Sequence, residues 1–185
     1  QGIAAYKDLE ALPNVPDLVV TCTPAFTVPA IVKSAVELGV KGICVISAGF
    51  REAGEDGIKL EQQVLAEIAK GDGVRMIGPN CLGVIVPSIG LNASFTVGRP
   101  APGNIAFITQ YGALGTSVLD WAIRKGIGFS MFVSVGNMAE ADFADLIDYF
   151  GQDSGTDAIL VNIESIANAR AFVSAARACT QTKPI

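Results

Sequence analysis

No histidine occurs among the 185 residues of this chain. That absence removes several chemistries at once: the chain offers no Ser-His-Asp or Cys-His nucleophile, no histidine general base and no zinc site built on imidazole. Catalysis would need another segment or subunit to supply such a group. Cysteine is sparse as well. Cys22, Cys44, Cys81 and Cys179 stand far apart with no C-x-x-C spacing, each in or beside an apolar run. This pattern predicts buried free thiols in a reducing compartment, the cytoplasm, rather than disulfides or a metal centre. Charged residues make up only 17% of the chain and the net charge is −5. Lys and Arg are scattered, which argues against a nucleic-acid surface or a membrane-binding polybasic patch. No run of about 18 apolar residues exists to span a bilayer. What is present in quantity is hydrophobic surface, 50% of the residues, enough for a sizeable core in one or two compact domains.

The chain opens at Gln1 with no start methionine, basic n-region or apolar h-region, so no targeting peptide is expected. It closes on "TKPI", Thr182 to Ile185, where a helix end runs toward a further strand. Both ends read as cuts within a larger protein. Between them, short β-branched runs alternate with helical patterns. Strands are expected at Asp17 to Thr23, Lys41 to Ser47 and Val74 to Gly78. The first two are separated by a helix whose Val28, Ile31, Val32, Ala35 and Val36 share a face, the second and third by a helix from about Gly57 to Lys70. The Gly- and Pro-rich stretch from Ser94 to Asn104 reads as an interdomain connection. Beyond it the alternation resumes with strands "NIAFIT", "FSMFVSVG" and "AILVNIES" and three more helices, the first from Ala113 to Lys125. Such a rhythm predicts an α/β fold of two doubly wound, parallel halves, with ligands outside the carboxyl ends of the strands.

One turn of this kind stands out. In "FITQYGALGTSVLDWAIRKG" an apolar strand stops at Thr109 and Gln110, a glycine-spaced turn follows, and a helix begins at once. Gly112 permits a backbone that a β-carbon would penalise and lets a ligand come close. The first N–H groups of the helix lack intrahelical acceptors, which favours an anion. Leu114, Val118, Trp121 and Ala122 are expected to face the sheet. The spacing is neither a Walker loop, nor G-x-G-x-x-G, nor a nucleophile elbow. By pattern, an anion site and a plain tight turn both remain open, as do a site role and a helix-cap role for Glu164.

The blocks "RMIGPNCLGVIVP", "GLNASF", "GNIAFITQYGALGTSVLDWA", "GIGFSMFVSVGNMAEADFADLIDYFG" and "ILVNIESIANARAFVSAARA" together resemble the NDP-forming acyl-CoA synthetases. That family includes ADP-forming acetate–CoA ligase and is related to the succinyl-CoA synthetase α subunit. The resemblance spans nearly the whole chain. It implies a partial CoA-binding Rossmann-like domain over residues 1–97, followed by a succinyl-CoA synthetase-like flavodoxin domain over residues 98–185, truncated at its C-terminus. It also implies a thioester-forming ligase that joins a small carboxylic acid, such as acetate, to CoA at the expense of ATP with Mg, through an acyl phosphate and a phosphohistidine. The nucleotide would be held mainly by a nucleotide-grasp domain or β subunit, in an oligomer. The family's CoA-contacting segments match Thr23, Pro24, Ile46, Ser47, Ala48 and Asn80. Its phosphohistidine-cradling helix N-terminus matches Gln110, Tyr111, Gly112 and Ala113, and its histidine-orienting carboxylate matches Glu164. No residue matches a metal ligand.

Two parts of the family pattern are missing: the glycine-rich loop for CoA phosphates, expected before Gln1, and the phosphorylated histidine, expected shortly after Ile185. One residue departs from it. Relatives usually read Ser-Gln-Ser-Gly where this chain reads Thr109-Gln110-Tyr111-Gly112, placing a bulky phenol beside the phosphate position. Two other functions compete with the ligase reading. Synthetase-like regions also serve as non-catalytic CoA-sensing parts of protein lysine acetyltransferases, and a plain Rossmann-type dehydrogenase domain would bind NAD instead of CoA.

Overall fold

The computed structural model describes residues 2–185. Three parallel strands, β1 (Leu18–Thr21), β2 (Gly42–Val45) and β3 (Arg75–Ile77), form one sheet in the order β1-β2-β3. Thr21 lies opposite Val45 and Cys44 opposite Ile77. Helix α1 (Val28–Glu37), begun by a proline in its first turn, turns Val28, Val32 and Ala35 inward as its 3.6-residue period requires. Helix α2 (Glu55–Ile68) buries Gly57, Glu61, Val64 and Ile68. Val28, Val32, Ile43, Val45, Phe50, Val64 and Met76 make the core of this half.

The second sheet differs from the all-parallel expectation. It contains β4 (Gly83–Val86), β5 (Leu91–Ser94), β6 (Pro102–Thr109), β7 (Phe129–Ser134) and β8 (Ala158–Asn162), in the order β5-β4-β7-β6-β8. β6 runs parallel to both β7 and β8, but β4 pairs antiparallel with β7 and with β5. The hairpin β4–β5 turns through Pro87–Ile89 and Gly90, which takes the left-handed conformation at φ 70°. It thus extends the sheet built by the later strands.

Helix α3 (Gly112–Lys125) ends on the left-handed Gly126. Its buried face is Gly115, Leu119 and Ala122, whereas Leu114 and Trp121 are exposed and Val118 is partly buried. The expected face is therefore rotated. At Gly115 the helix lies so close to the sheet that a β-carbon would meet Thr109 Cγ2 at 2.9 Å and the Phe132 ring at 3.2 Å, so small residues face inward and bulky ones do not fit. Helix α4 (Phe143–Gln152) starts from a capping box in which Asp142 accepts from the backbone of Ala144 and Asp145, and Asp145 accepts from Asp142 N–H. It buries Phe143, Ile147 and Phe150, a stripe worth roughly 5–8 kcal/mol of apolar burial. Helix α5 (Ala169–Cys179) packs against it, with Phe172 edge-on to Phe143.

Cys44, Cys81 and Cys179 are buried, but Cys22 is exposed, contrary to expectation. It follows the edge strand β1, where inward Val19 and Thr21 alternate with outward positions. No helix among the described residues is long and apolar enough to cross a membrane.

Candidate functional site

Two turns, after β3 and after β7, hold the two sheets against one another. Asn137 N–H donates to Pro79 O at 2.9 Å, Ala139 N–H to Gly78 O at 3.1 Å and Ala141 N–H to Met76 O at 3.2 Å. Around this seam Arg75 Nε meets Glu140 Oε1 at 2.8 Å and an Arg75 terminal nitrogen meets Asp145 Oδ1 at 3.1 Å, while Glu140 Oε2 accepts from Met76 N–H at 2.7 Å. Four residues here take positive φ: Gly78 at 98°, Asn80 at 57°, Gly136 at 54° and Met138 at 52°. Asn tolerates that region because its short amide bonds locally. At Gly136 only glycine fits, since a β-carbon would run into Pro79 O and Asn80 O.

Above the seam opens a cavity of about 820 Å³. From the first sheet it takes Ile46 and Ala48 after β2 and Asn80, Cys81 and Leu82 after β3. From the second it takes Gln110 to Ala113 after β6, Gly136 to Met138 after β7 and Glu164 to Ala167 after β8. All these segments follow the carboxyl ends of parallel strands, where ligands of open α/β sheets sit.

The turn into α3 is fixed by its own polar residues. Thr109 Oγ donates to Tyr111 O at 3.0 Å, and Gln110 N–H donates to Asn162 O. Gln110 then ties this turn to the one after β8: its Oε1 accepts from the N–H groups of Glu164 and Ser165, both at 2.9 Å, and its Nε2 donates to Ser165 Oγ. Tyr111 occupies the N-cap with no side-chain hydrogen bond to the helix. The first-turn N–H groups of Gly112 and Ala113 therefore stay available at the cavity, carrying the partial positive charge of the helix end. Tyr111 lines the cavity beside them and is 53% exposed.

Of the residues singled out from the sequence, Ile46, Ala48, Asn80, Gln110, Tyr111, Gly112, Ala113 and Glu164 share this cavity. The other three do not line it. Thr23 borders a separate groove of about 610 Å³ beside β1, where it accepts from Thr27 Oγ at 2.8 Å. Pro24 is exposed and precedes a short helical turn at Ala25–Thr27. Ser47 is buried, with its hydroxyl unpartnered, and its carbonyl accepts from Asn80 N–H at 3.0 Å.

Sequence reasoning passed over Arg51, Glu52 and Glu61, and covered Asn137 only through the rule that ligands sit beyond the carboxyl ends of the strands. Glu52 lines the cavity with its Oε1 accepting from Gly49 N–H at 2.6 Å and Phe50 N–H at 3.1 Å. Burial pushes its carboxyl up, but the bonds from Asn137 and from these backbone N–H groups outweigh it and hold the group below its ordinary range. Glu61, buried on α2, has Arg51 at 3.7 Å. The clue was positional: Arg51, Glu52 and Asn137 fall just beyond β2 and β7, where the topology rule points.

Each half of the chain matches a known family. Residues 1–87 match the family model described as "CoA binding domain", and residues 102–185 match "Succinyl-CoA ligase like flavodoxin domain". The alpha subunit of ADP-forming acetate–CoA ligase II from Pyrococcus furiosus is 44% identical over 186 aligned positions, covering all of this chain and 40% of that protein. ADP-forming acetate–CoA ligase I from Archaeoglobus fulgidus is 41% identical over 184, covering all of this chain and 27% of its own length. A solved structure of dinucleotide forming acetyl-coenzyme A synthetase 1 from Candidatus Korarchaeum cryptofilum, in complex with phosphate and ADP, superposes with a TM-score of 0.93 at 34% identity, covering all of this chain and 39% of that one. The chain thus spans well under half the length of these relatives. Its two matched domains, in this order and at this identity, make it a member of the NDP-forming acyl-CoA synthetase family.

Proposed function

We propose that the protein to which this chain belongs is an ADP-forming acid–CoA ligase, joining a small carboxylic acid, acetate by the relatives' names, to CoA with conversion of ATP to ADP and phosphate. The observation that carries this reading is the single cavity where Asn80 and the turn after β2 face the uncapped start of α3 and Glu164. One side matches the family's CoA segments, the other its phosphoryl-receiving end. The chemistry passes through an acyl phosphate and a phosphohistidine. The imidazole comes from outside these residues, since the chain has none. The Gly112 and Ala113 amides stabilise the phosphoryl charge without needing to reorganise, and Glu164 orients the ring through its carboxylate. Ile46 and Ala48 contribute to CoA binding from the cavity wall and Thr23 and Pro24 from the exposed turn after β1 outside it, while Ser47, its side chain buried, contributes through the carbonyl that holds Asn80. Tyr111 narrows the phosphoryl position but leaves both backbone donors in place.

ATP is held by a nucleotide-grasp domain or β subunit, in an oligomeric, cytoplasmic assembly. Among the described residues no group of three or more His, Cys, Asp or Glu side chains could hold a metal ion, so Mg accompanies the nucleotide and no step here runs through it. Incubation of the intact protein with γ-labelled ATP tests the assignment. Acid-labile, base-stable label on a histidine outside residues 1–185 is expected, together with its loss in Glu164→Gln. Label on this chain itself would overturn it.

A further inference from the structure

Asn137 is buried, 8% exposed, between two carboxylates. Its neighbours leave it one orientation. Glu52 Oε2 lies 2.6 Å and Glu61 Oε2 3.1 Å from Asn137 Nδ2. Ionised carboxylates only accept, so the amide nitrogen, with its two protons, must face them. Asn137 Oδ1 is thereby turned to the other side, where it meets Asn80 Nδ2 at 3.3 Å. An oxygen there accepts, so Asn80 must present its own nitrogen to Asn137. Its carbonyl is left for the cavity. The backbone holds Asn80 in the same pose, through its left-handed φ and its N–H bond to Ser47 O.

We propose that Asn137 is a positioning residue that locks the Asn80 amide with its carbonyl toward the cavity, where it accepts from an N–H donor of CoA. The inference rests on the CoA reading above. Both the pantetheine amides and the adenine amino group carry such a donor. On the Asn137 side of the cavity the charged lining is Arg51, already set against Glu61 at 3.7 Å, and the acid Glu52, so this side suits a neutral N–H-bearing segment of CoA, while the phosphoryl group lies at the α3 amides across the cavity. The relay runs from Glu61 in the core and Glu52 at the cavity wall, through one amide, to the orientation of another.

The test is calorimetric binding of CoA, phosphopantetheine and adenosine bisphosphate to the intact protein and its variants. Asn137→Leu, close in volume but without donor or acceptor, is expected to weaken CoA on the order of tenfold, as loss of a fixed hydrogen bond does. The loss should recur with only one of the two fragments, which identifies the donor. Asn137→Asp sets a third carboxylate against Glu52 and Glu61 and should bind as poorly. Adding Glu61→Gln returns a donor to that cluster and should restore affinity to within about threefold of the parent. Equal losses for both fragments, an unrescued double variant, or CoA binding by Asn137→Leu within twofold of the parent would each overturn the relay alone. A parent protein that binds no CoA would overturn the CoA reading and the relay together.

Discussion

Gly136→Ala tests the seam between the two sheets. Gly136 has φ 54°, and a β-carbon on it would press into Pro79 O and Asn80 O and lie 2.7 Å from Asn80 C. Three costs follow. The left-handed conformation costs a residue with a β-carbon about 1 kcal/mol. Pushing two backbone turns apart costs about 1–3 kcal/mol, as overpacking does in cores. The 2.9 Å bond from Asn137 N–H to Pro79 O spans the same gap and lengthens with it, a further loss of about 1 kcal/mol. The sum, about 3–5 kcal/mol, should lower the melting temperature by roughly 10 °C in a chain of this size. Gly126→Ala is the matched control: its φ is 67°, but nothing lies within 4 Å of the added carbon, so only the conformational cost of about 1 kcal/mol applies. Urea unfolding of both variants gives the difference directly. A difference below about 1 kcal/mol would refute the claim that this contact carries the load.

Three further outcomes follow from the geometry. Asp142→Ala removes the capping side chain from the helix that buries Phe143, Ile147 and Phe150, and should cost about 1–2 kcal/mol in denaturant unfolding. Glu52, held below its ordinary value of 4.5, stabilises the fold above that pH and loses its contribution as pH falls through the lowered value. Glu52→Gln should therefore flatten the acid limb of a stability–pH profile, and an unchanged limb would count against the bonds described. Thiol titration of the native chain should find Cys22 reacting rapidly, and Cys44, Cys81 and Cys179 only once denaturant is added.

Much of the fold was legible because it is local. The strands at 18–21, 42–45 and 75–77 and the first helix lie within the runs expected from periodicity, and the second helix falls two residues earlier than expected at each end, since burying one face demands the repeat that reveals it. The hairpin at 83–94 is itself local, but the sheet it joins is not: β4 finds its second neighbour in β7, more than forty residues later, and no local pattern encodes an antiparallel partner at that distance. The orientation of α3 was misread for another reason. Apolar content suggested Leu114 and Trp121 as the packed face, but closeness of approach at Gly115 decides which side fits.

The same distinction separates the two layers of the site. Gly112 and Glu164 could be named because each follows a strand and carries a residue type suited to its turn, whereas Asn80 and Gln110 are singled out by the family resemblance of their blocks. Glu61 could not, because it sits on the apolar face of α2, where a carboxylate looks like a mistake in the pattern. It becomes intelligible only with Asn137 beside it, 76 residues away in sequence. A buried acid is costly unless paired, and here its partners are Arg51 on one oxygen and, on the other, an amide whose far end reaches the cavity. The polar residue that breaks the helical pattern is therefore the one that couples core to site, a coupling that local sequence does not reveal.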